Sequence, residues 1–376
     1  VIRRSLNIEK LSLKEKIFYS VICNEKRVYQ HWYRRYLNAG VDLDRIRRVV
    51  GRIKNWYQWC SEWSAEGEHL VILAEKALEQ GNTNCAKTFF HEAAGCFHVG
   101  QHFFYIGPEQ KARAECRLRK NYERAIDLCN GNEKPIRVEV PFRGVLIPGY
   151  LRLTDRPNRP LIIFINGMDN LKEIELHHYG NMFTAAGFNT FAFDGPGQGE
   201  MWQDMKFIPD YEKAVSTIID WFEENNIYNI DLQKIATLGW SLGGYLSPRA
   251  AAFDKRIRCA IGSGGPADAR FLTNKMKVNP LLLKGIPHLV GANTYDEALE
   301  LFDIDIETAP PMDRPLLIFH SGNDRLIPDG KEHADILVKW AEGETELKYY
   351  PEGTHVCANY LDETDAYMID WLRKHL

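Results

Sequence analysis

The chain has 376 residues, 45% hydrophobic and 26% charged, with a net charge of −4; that composition suits a soluble globular protein and argues against a polyanion-binding one. The length suits two domains, each able to bury a core, and no stretch approaches the ~18 uninterrupted apolar residues of a membrane span. The start, Val1-Ile2-Arg3-Arg4-Ser5, has no apolar run before a small-residue cleavage site, so no secretory signal is expected.

Charge is unevenly placed. Residues 1–135 hold 23 Lys and Arg against 16 Asp and Glu, a net +7, and the remainder holds 24 against 35, a net −11. This predicts two domains that attract across an interface, with steering of an anionic substrate as the secondary reading. Neither nucleic acid nor a membrane is expected as a partner. The eight cysteines (Cys23, Cys60, Cys85, Cys96, Cys116, Cys129, Cys259, Cys357) form no C-x-x-C pair. They read as buried free thiols in a reducing, cytoplasmic setting, without disulfides or zinc.

Residues 1–135 contain one proline, Pro108, before the closing Pro135, and predict five or six helices. Leu70, Ile72, Leu73, Ala77 and Leu78 recur at helical spacing up to Gly81. Asn82 or Thr83 caps the next run, which carries Phe89, Phe90, Ala93, Ala94, Phe97, Phe103 and Phe104. After Gly107-Pro108, Ala112 to Ile126 repeat the pattern. No fixed repeat period appears, which disfavours a solenoid.

From Pro135 the texture changes. Ile136–Pro141 and Val145–Leu153 predict a strand pair around Arg143-Gly144. Six apolar runs then alternate with amphipathic segments: Leu161–Ile165, Thr190–Phe193, Ile235–Leu238, Ile257–Ile261, Leu316–Phe319 and Leu347–Tyr350. Apolar strands separated by helices imply a parallel sheet covered on both faces. Residues 266–312, which contain Pro280, Pro287, Pro310 and Pro311 and a short helix near Tyr295–Leu301, interrupt that rhythm and are expected to form part of a lid.

The chemistry concentrates at Ile235 to Gly244, an apolar strand running into Gly239-Trp240-Ser241-Leu242-Gly243-Gly244. A serine at a sharp strand-to-helix turn projects its hydroxyl above the sheet, and flanking glycines avoid collisions. The helix start then offers the Leu242 N–H to an oxyanion. Serine needs a base and an orienting acid, in the order Ser, Asp, His. Asp324 follows the strand Leu316–Phe319, and His355 follows the last strand, each on its own loop. The second oxyanion donor belongs after Leu161–Ile165, where Gly167 permits close approach and Met168 N–H is the candidate.

Other polar residues rank lower. Asp329 competes with Asp324 but lies further from the strand. His320 reads as a packed histidine, His177 and His178 as surface residues, and Asp169 as a site residue or a turn cap. Asp194 to Glu200 lacks the lysine and spacing of a P-loop and reads as a tight turn beside the site. His98, His102 and Tyr105 lie on an aromatic helical face, either core or substrate-pocket wall. Asp268 could point towards the site.

Asn166-Gly167-Met168-Asp169-Asn170-Leu171-Lys172-Glu173, with D-G-P-G-Q-G-E and G-W-S-L-G-G, resembles one branch of the α/β-hydrolases. That branch includes a bacterial dihydroxypseudooxynicotine hydrolase, fungal polyketide-shortening hydrolases and the fermentation-respiration switch esterase. Ala86–Ala125 is similar to the helical domain of the first two, so the resemblance spans roughly residues 70–376. It implies an α/β-hydrolase fold, with a mostly parallel eight-stranded sheet over 136–376 and an all-helical lid domain over 1–135. By position it makes Ser241 the nucleophile, Asp324 the acid and His355 the base, and it implies a possible homodimer. Asn166 departs from the glycine often found at its position.

The expected activity is a cofactor-independent, metal-free serine hydrolase that cleaves a C–C bond beside a ketone in a small aromatic or polyketide-like substrate. An esterase, thioesterase or acyltransferase would use the same triad. A non-catalytic binding protein on the same fold is disfavoured by the intact constellation, and a propeller-bearing peptidase by the helical N-terminal region.

Overall fold

Helical periodicity and capping organise the first of two compact units, which runs up to Lys134 and includes Glu173–His178; the second holds Pro135–Lys172 and Tyr179–Leu376. The computed structural model describes residues 13–21, 26–274 and 278–376. Cys23 and residues 1–5 lie outside them.

Six α-helices are described before Lys134: α1 (Leu13–Val21), α2 (Lys26–Asn38), α3 (Leu43–Arg52), α4 (Trp59–Glu79), α5 (Thr83–Gln101) and α6 (Pro108–Asp127). The Asp42 carboxylate accepts the N–H groups of Asp44 and Arg45 and so caps α3. Leu70, Ala74 and Ala77 share the buried stripe of α4, whereas Ile72 is 54% exposed, because an offset of two residues puts it on the opposite face. Trp56 stacks on Trp59 at 4.8 Å, and the Trp59 indole donates to the Val99 carbonyl at 2.7 Å, which satisfies its one polar atom inside the core. Glu66 receives Arg45, Arg48 and Arg52; burial opposes its ionisation, but the three guanidinium groups hold it at about 2.

The second unit contains the sheet: β1 (Ile136–Phe142), β2 (Val145–Arg152), β3 (Pro160–Ile165), β4 (Asn189–Phe193), β5 (Asp231–Trp240), β6 (Ile257–Ser263), β7 (Leu316–Ser321) and β8 (Thr345–Tyr350). The order is β1-β2-β4-β3-β5-β6-β7-β8. β2 runs antiparallel to both β1 and β4, and all later pairs are parallel. Arg143 and Gly144 both have positive φ (47° and 84°), which matches the twist of a two-residue hairpin. The central strands β3 and β4 are buried along their whole length.

The helices of the sheet region are α7 (Glu175–Ala185), α8 (Glu212–Glu224), α9 (Leu242–Phe253), α10 (Leu282–Val290), α11 (Tyr295–Leu301), α12 (Gly330–Trp340) and α13 (Leu361–His375). The first turn of α7 falls in the helical unit and the rest in the sheet unit. In the 266–312 insertion, α11 coincides with the expected helix. α10 contains Pro287 and has no counterpart in the sequence reading. His288 of α10 stacks on Trp202 at 4.2 Å, and the Phe207 N–H donates to the Leu289 carbonyl, so this helix is anchored to the chain that follows β4.

Four cysteines are buried as expected (Cys60, Cys96, Cys259, Cys357), but Cys85 and Cys116 are exposed. Both sit on outward stripes of helices whose opposite face carries the core, and helical spacing overrides the preference of the thiol for burial. No described helix is long and apolar enough to cross a membrane.

Candidate active site

Ser241 sits between β5 and α9 with φ 56° and ψ −123°, a conformation that costs a non-glycine residue about 1–3 kcal/mol. The surrounding close packing holds it there. A Cβ on Gly239 would strike the Gly243 carbonyl, and one on Gly243 would strike the Ile165 carbonyl. The glycine spacing therefore lets β5, α9 and the end of β3 meet. The Ser241 N–H donates to the Ser263 carbonyl at 2.8 Å, which ties the elbow to β6.

His355 and Asp324 converge on this hydroxyl. The His355 Nδ1 lies 2.7 Å from Asp324 Oδ2, and its Nε2 lies 2.9 Å from Ser241 Oγ. An ionised carboxylate only accepts, so Nδ1 carries the proton and Nε2 is free to receive the one from Ser241. Burial pushes the Asp324 carboxyl up, but His355 and the N–H groups of Ile327 and Leu326 outweigh it and hold Asp324 below the usual carboxylate range. The competing Asp329 is exposed, precedes α12 with φ 57°, and makes no hydrogen bond to His355.

The His355 loop is held by a residue that the sequence reading passed over. Ser321, the last residue of β7, donates to the Thr354 carbonyl at 2.7 Å and accepts the Cys357 N–H at 3.2 Å. The two bonds bracket His355, and beyond it Val356 and Cys357 both adopt positive φ. A serine two residues past the apolar run Leu316–Phe319 is its only signal in the sequence. Cys357 is no rival nucleophile: burial pushes its thiol up to about 11.

The two oxyanion candidates are backbone donors. Among the described residues, neither the Met168 N–H nor the Leu242 N–H donates to a loop or turn backbone carbonyl. Asn166, where glycine is often found, is fully buried. Its Nδ2 donates to the Phe193 carbonyl at 2.8 Å and to Asp194 Oδ1 at 2.9 Å, stapling the end of β3 to the end of β4.

Asp268 is buried, but Arg270 engages its carboxylate through the backbone N–H (2.7 Å) and the guanidinium (2.5 Å). It makes no hydrogen bond to Ser241, Asp324 or His355. His102 is fully buried in the helical unit with Trp32 at 5.0 Å and Phe103 at 4.6 Å, and Tyr105 is half-buried under the Lys111 ammonium. Phe97, Phe103 and Phe104 are core residues of the same unit. His98 bonds Glu175 at 2.8 Å within that unit. His177 and His178 are half-buried rather than on the surface, and the Tyr122 hydroxyl meets His177 Nδ1 at 2.9 Å, because the first turn of α7 packs with the helices. Asp169 is half-buried. His320 is packed as expected: Nε2–H donates to the Gly265 carbonyl at 3.0 Å, and burial lowers its pKa to about 4.

The acidic groups that come together at the end of β4 already hold a cation. Asp194 and Glu200 both accept from the Lys172 ammonium at 2.8 Å, and Arg137 pairs with Glu200, so two side-chain cations balance the two carboxylates where a metal would otherwise be considered.

The prolyl oligopeptidase family profile matches residues 176–376. The chain is 26% identical over 319 residues to 2,6-dihydropseudooxynicotine hydrolase of Paenarthrobacter nicotinovorans, covering 84% of this chain and 83% of that protein. A 20-hydroxy-prefusarin hydrolase of Gibberella moniliformis is 30% identical over 244 residues, 61% of this chain and 57% of that protein; the match therefore spans little more than half the length of this fungal relative. The crystal structure of 2,6-dihydroxy-pseudo-oxynicotine hydrolase superimposes with a TM-score of 0.81 at 25% identity, covering 92% of this chain and 95% of that one.

Proposed function

The chain belongs to the prolyl oligopeptidase family of α/β-hydrolases, and from that premise we propose a serine hydrolase that needs no cofactor and cleaves the C–C bond beside a ketone in an aromatic or polyketide-like substrate. The observation that carries this reading is the unbroken relay from Asp324 through His355 to Ser241. The substrate class is supported by the relatives, named as a pseudooxynicotine hydrolase and a prefusarin hydrolase. Peptide cleavage is not proposed: the family match begins at residue 176, and the N-terminal unit is helical rather than a propeller.

In this mechanism Ser241 Oγ attacks the ketone carbon as its proton passes to His355 Nε2, and Asp324 stabilises the imidazolium. Met168 N–H and Leu242 N–H receive the oxyanion. The C–C bond breaks with its electron pair on the departing carbon, which takes the proton from His355. Water then gives a proton to His355, attacks the acyl-Ser241 ester and releases the acid, and the proton returns to Ser241. The overall change adds one water across the C–C bond. An ester or thioester would follow the same steps with oxygen or sulfur leaving.

A panel of β-diketones, aryl ketones and simple esters, compared between wild type and Ser241→Ala, tests the reading. Turnover lost in the variant supports covalent catalysis; equal turnover refutes it. Faster wild-type cleavage of the esters than of the ketones would overturn the C–C assignment.

A further inference from the structure

The D-G-P-G-Q-G-E segment contributes a side chain to the catalytic loop. Gly195-Pro196-Gly197-Gln198 closes a tight turn, with the Gln198 N–H on the Gly195 carbonyl at 2.9 Å and Gly197 at φ 81°. The turn aims the Gln198 side chain inward, where it is fully buried. Its Nε2 donates to the Asn166 carbonyl at 2.8 Å and to the Gly167 carbonyl at 3.0 Å. Its Oε1 accepts the Tyr211 hydroxyl at 2.6 Å and the Gly195 N–H at 3.2 Å. All four hydrogen-bonding positions of the amide are filled, and the Gly195 N–H, which can only donate, fixes which end is oxygen.

The Gly167 carbonyl and the Met168 N–H belong to one peptide plane, and in a trans peptide they point in opposite directions. Holding the carbonyl therefore aims the N–H. A hydrogen bond at the carbonyl also polarises the amide and strengthens its N–H as a donor. We propose that Gln198, oriented by Tyr211, is a positioning residue that fixes the Gly167–Met168 peptide so that its N–H faces the developing oxyanion. The inference rests on the serine-hydrolase reading above. Burial keeps the Tyr211 phenol protonated, well above its ordinary range, so the hydroxyl remains a donor to Gln198.

Gln198→Glu keeps the shape but turns two donated bonds into repulsion against two carbonyls, and Tyr211→Phe removes only the orienting hydroxyl. The probes are p-nitrophenyl butyrate, an aryl trifluoromethyl ketone that mimics the tetrahedral adduct, and a fluorophosphonate to count competent serines. Gln198→Glu should lower kcat per titrated serine by about 10- to 100-fold, less than the ~10²–10³ of losing a donor outright. Tyr211→Phe should lower it by about 3- to 10-fold. KM should stay within about twofold, and the affinity for the trifluoromethyl ketone should fall in parallel with kcat. Wild-type kcat per titrated serine in both variants would overturn the proposal. Unchanged ketone affinity with lowered kcat would also overturn it. If Gln198→Glu yields no titratable serine, Tyr211→Phe decides alone by the same criteria. Ester turnover by Ser241→Ala equal to wild type would instead show that the underlying hydrolase reading has failed.

Discussion

Asp324 and His355, 31 residues apart in the chain, meet through a 2.7 Å hydrogen bond from Nδ1–H to Oδ2. Asp324 Oδ1 is held in turn by the N–H groups of Leu326 and Ile327 at 2.8 and 3.0 Å, so the loop after β7 grips one carboxylate oxygen and His355, on the loop after β8, the other. Asp324→Asn leaves the packing but removes the charge that selects the His355 tautomer. It should lower kcat by about 10³- to 10⁴-fold. Asp329→Asn should stay near wild type, since Asp329 is exposed. Steady-state kinetics on both variants checks the assignment, and the opposite ranking would reverse it.

Ser321→Ala removes the bonds to Thr354 and Cys357 that bracket His355. With the base less firmly placed, kcat should fall about tenfold or more while KM changes little, because misplacement costs the chemical step more than binding. The low-field Nδ1–H proton resonance of His355 should broaden or shift. A sharp, unmoved resonance with wild-type kcat would argue against this role.

The buried Lys172 ammonium joins Asp194 and Glu200, and Arg137 pairs with Glu200 at 2.8 Å. Lys172→Met should destabilise the protein by about 3–5 kcal/mol, because it strands the fully buried Asp194 carboxylate. Denaturant unfolding measures this loss. A cost below about 1 kcal/mol would mean that Asp194 is satisfied without the lysine.

Acid should weaken the fold in a definite window. Burial opposes ionisation of Glu175, but His98 and Arg35 hold it at about 2 against an ordinary 4.5. Glu200, likewise opposed by burial, is held at about 2 by Arg137 and Lys172. Both bind fewer protons folded than unfolded, so their contribution is complete above 4.5 and is lost as pH falls towards 2. The thermal midpoint should drop across that range, and Glu200→Gln should flatten part of the drop. A midpoint independent of pH there would contradict the ion-pair geometry.

Hydrolysis should survive exhaustive chelation, since the relay supplies nucleophile, base and charge stabilisation, and Lys172 with Arg137 already balances Asp194 and Glu200. Activity lost to a chelator and restored by a divalent metal would refute this.

The α/β-hydrolase class is legible in the chain alone, because apolar runs of four or five residues and helical stripes are local patterns. The chain also set the order of Ser241, Asp324 and His355, since the ends of successive parallel strands gather at one edge of a sheet. The outward turn of Ile72, Cys85 and Cys116 was open to the same periodicity argument once the buried stripe of each helix was known. That Asp324 rather than Asp329 meets His355 emerges only on folding, because the choice rests on a loop that wraps one carboxylate within about 3 Å of three donors. The tertiary structure likewise decided why Asn166 stands before Gly167, and it brought Gln198 and Ser321 to loops 31 and 33 residues distant. Those partners are set by how strand ends stack in space, and no spacing along the chain encodes that.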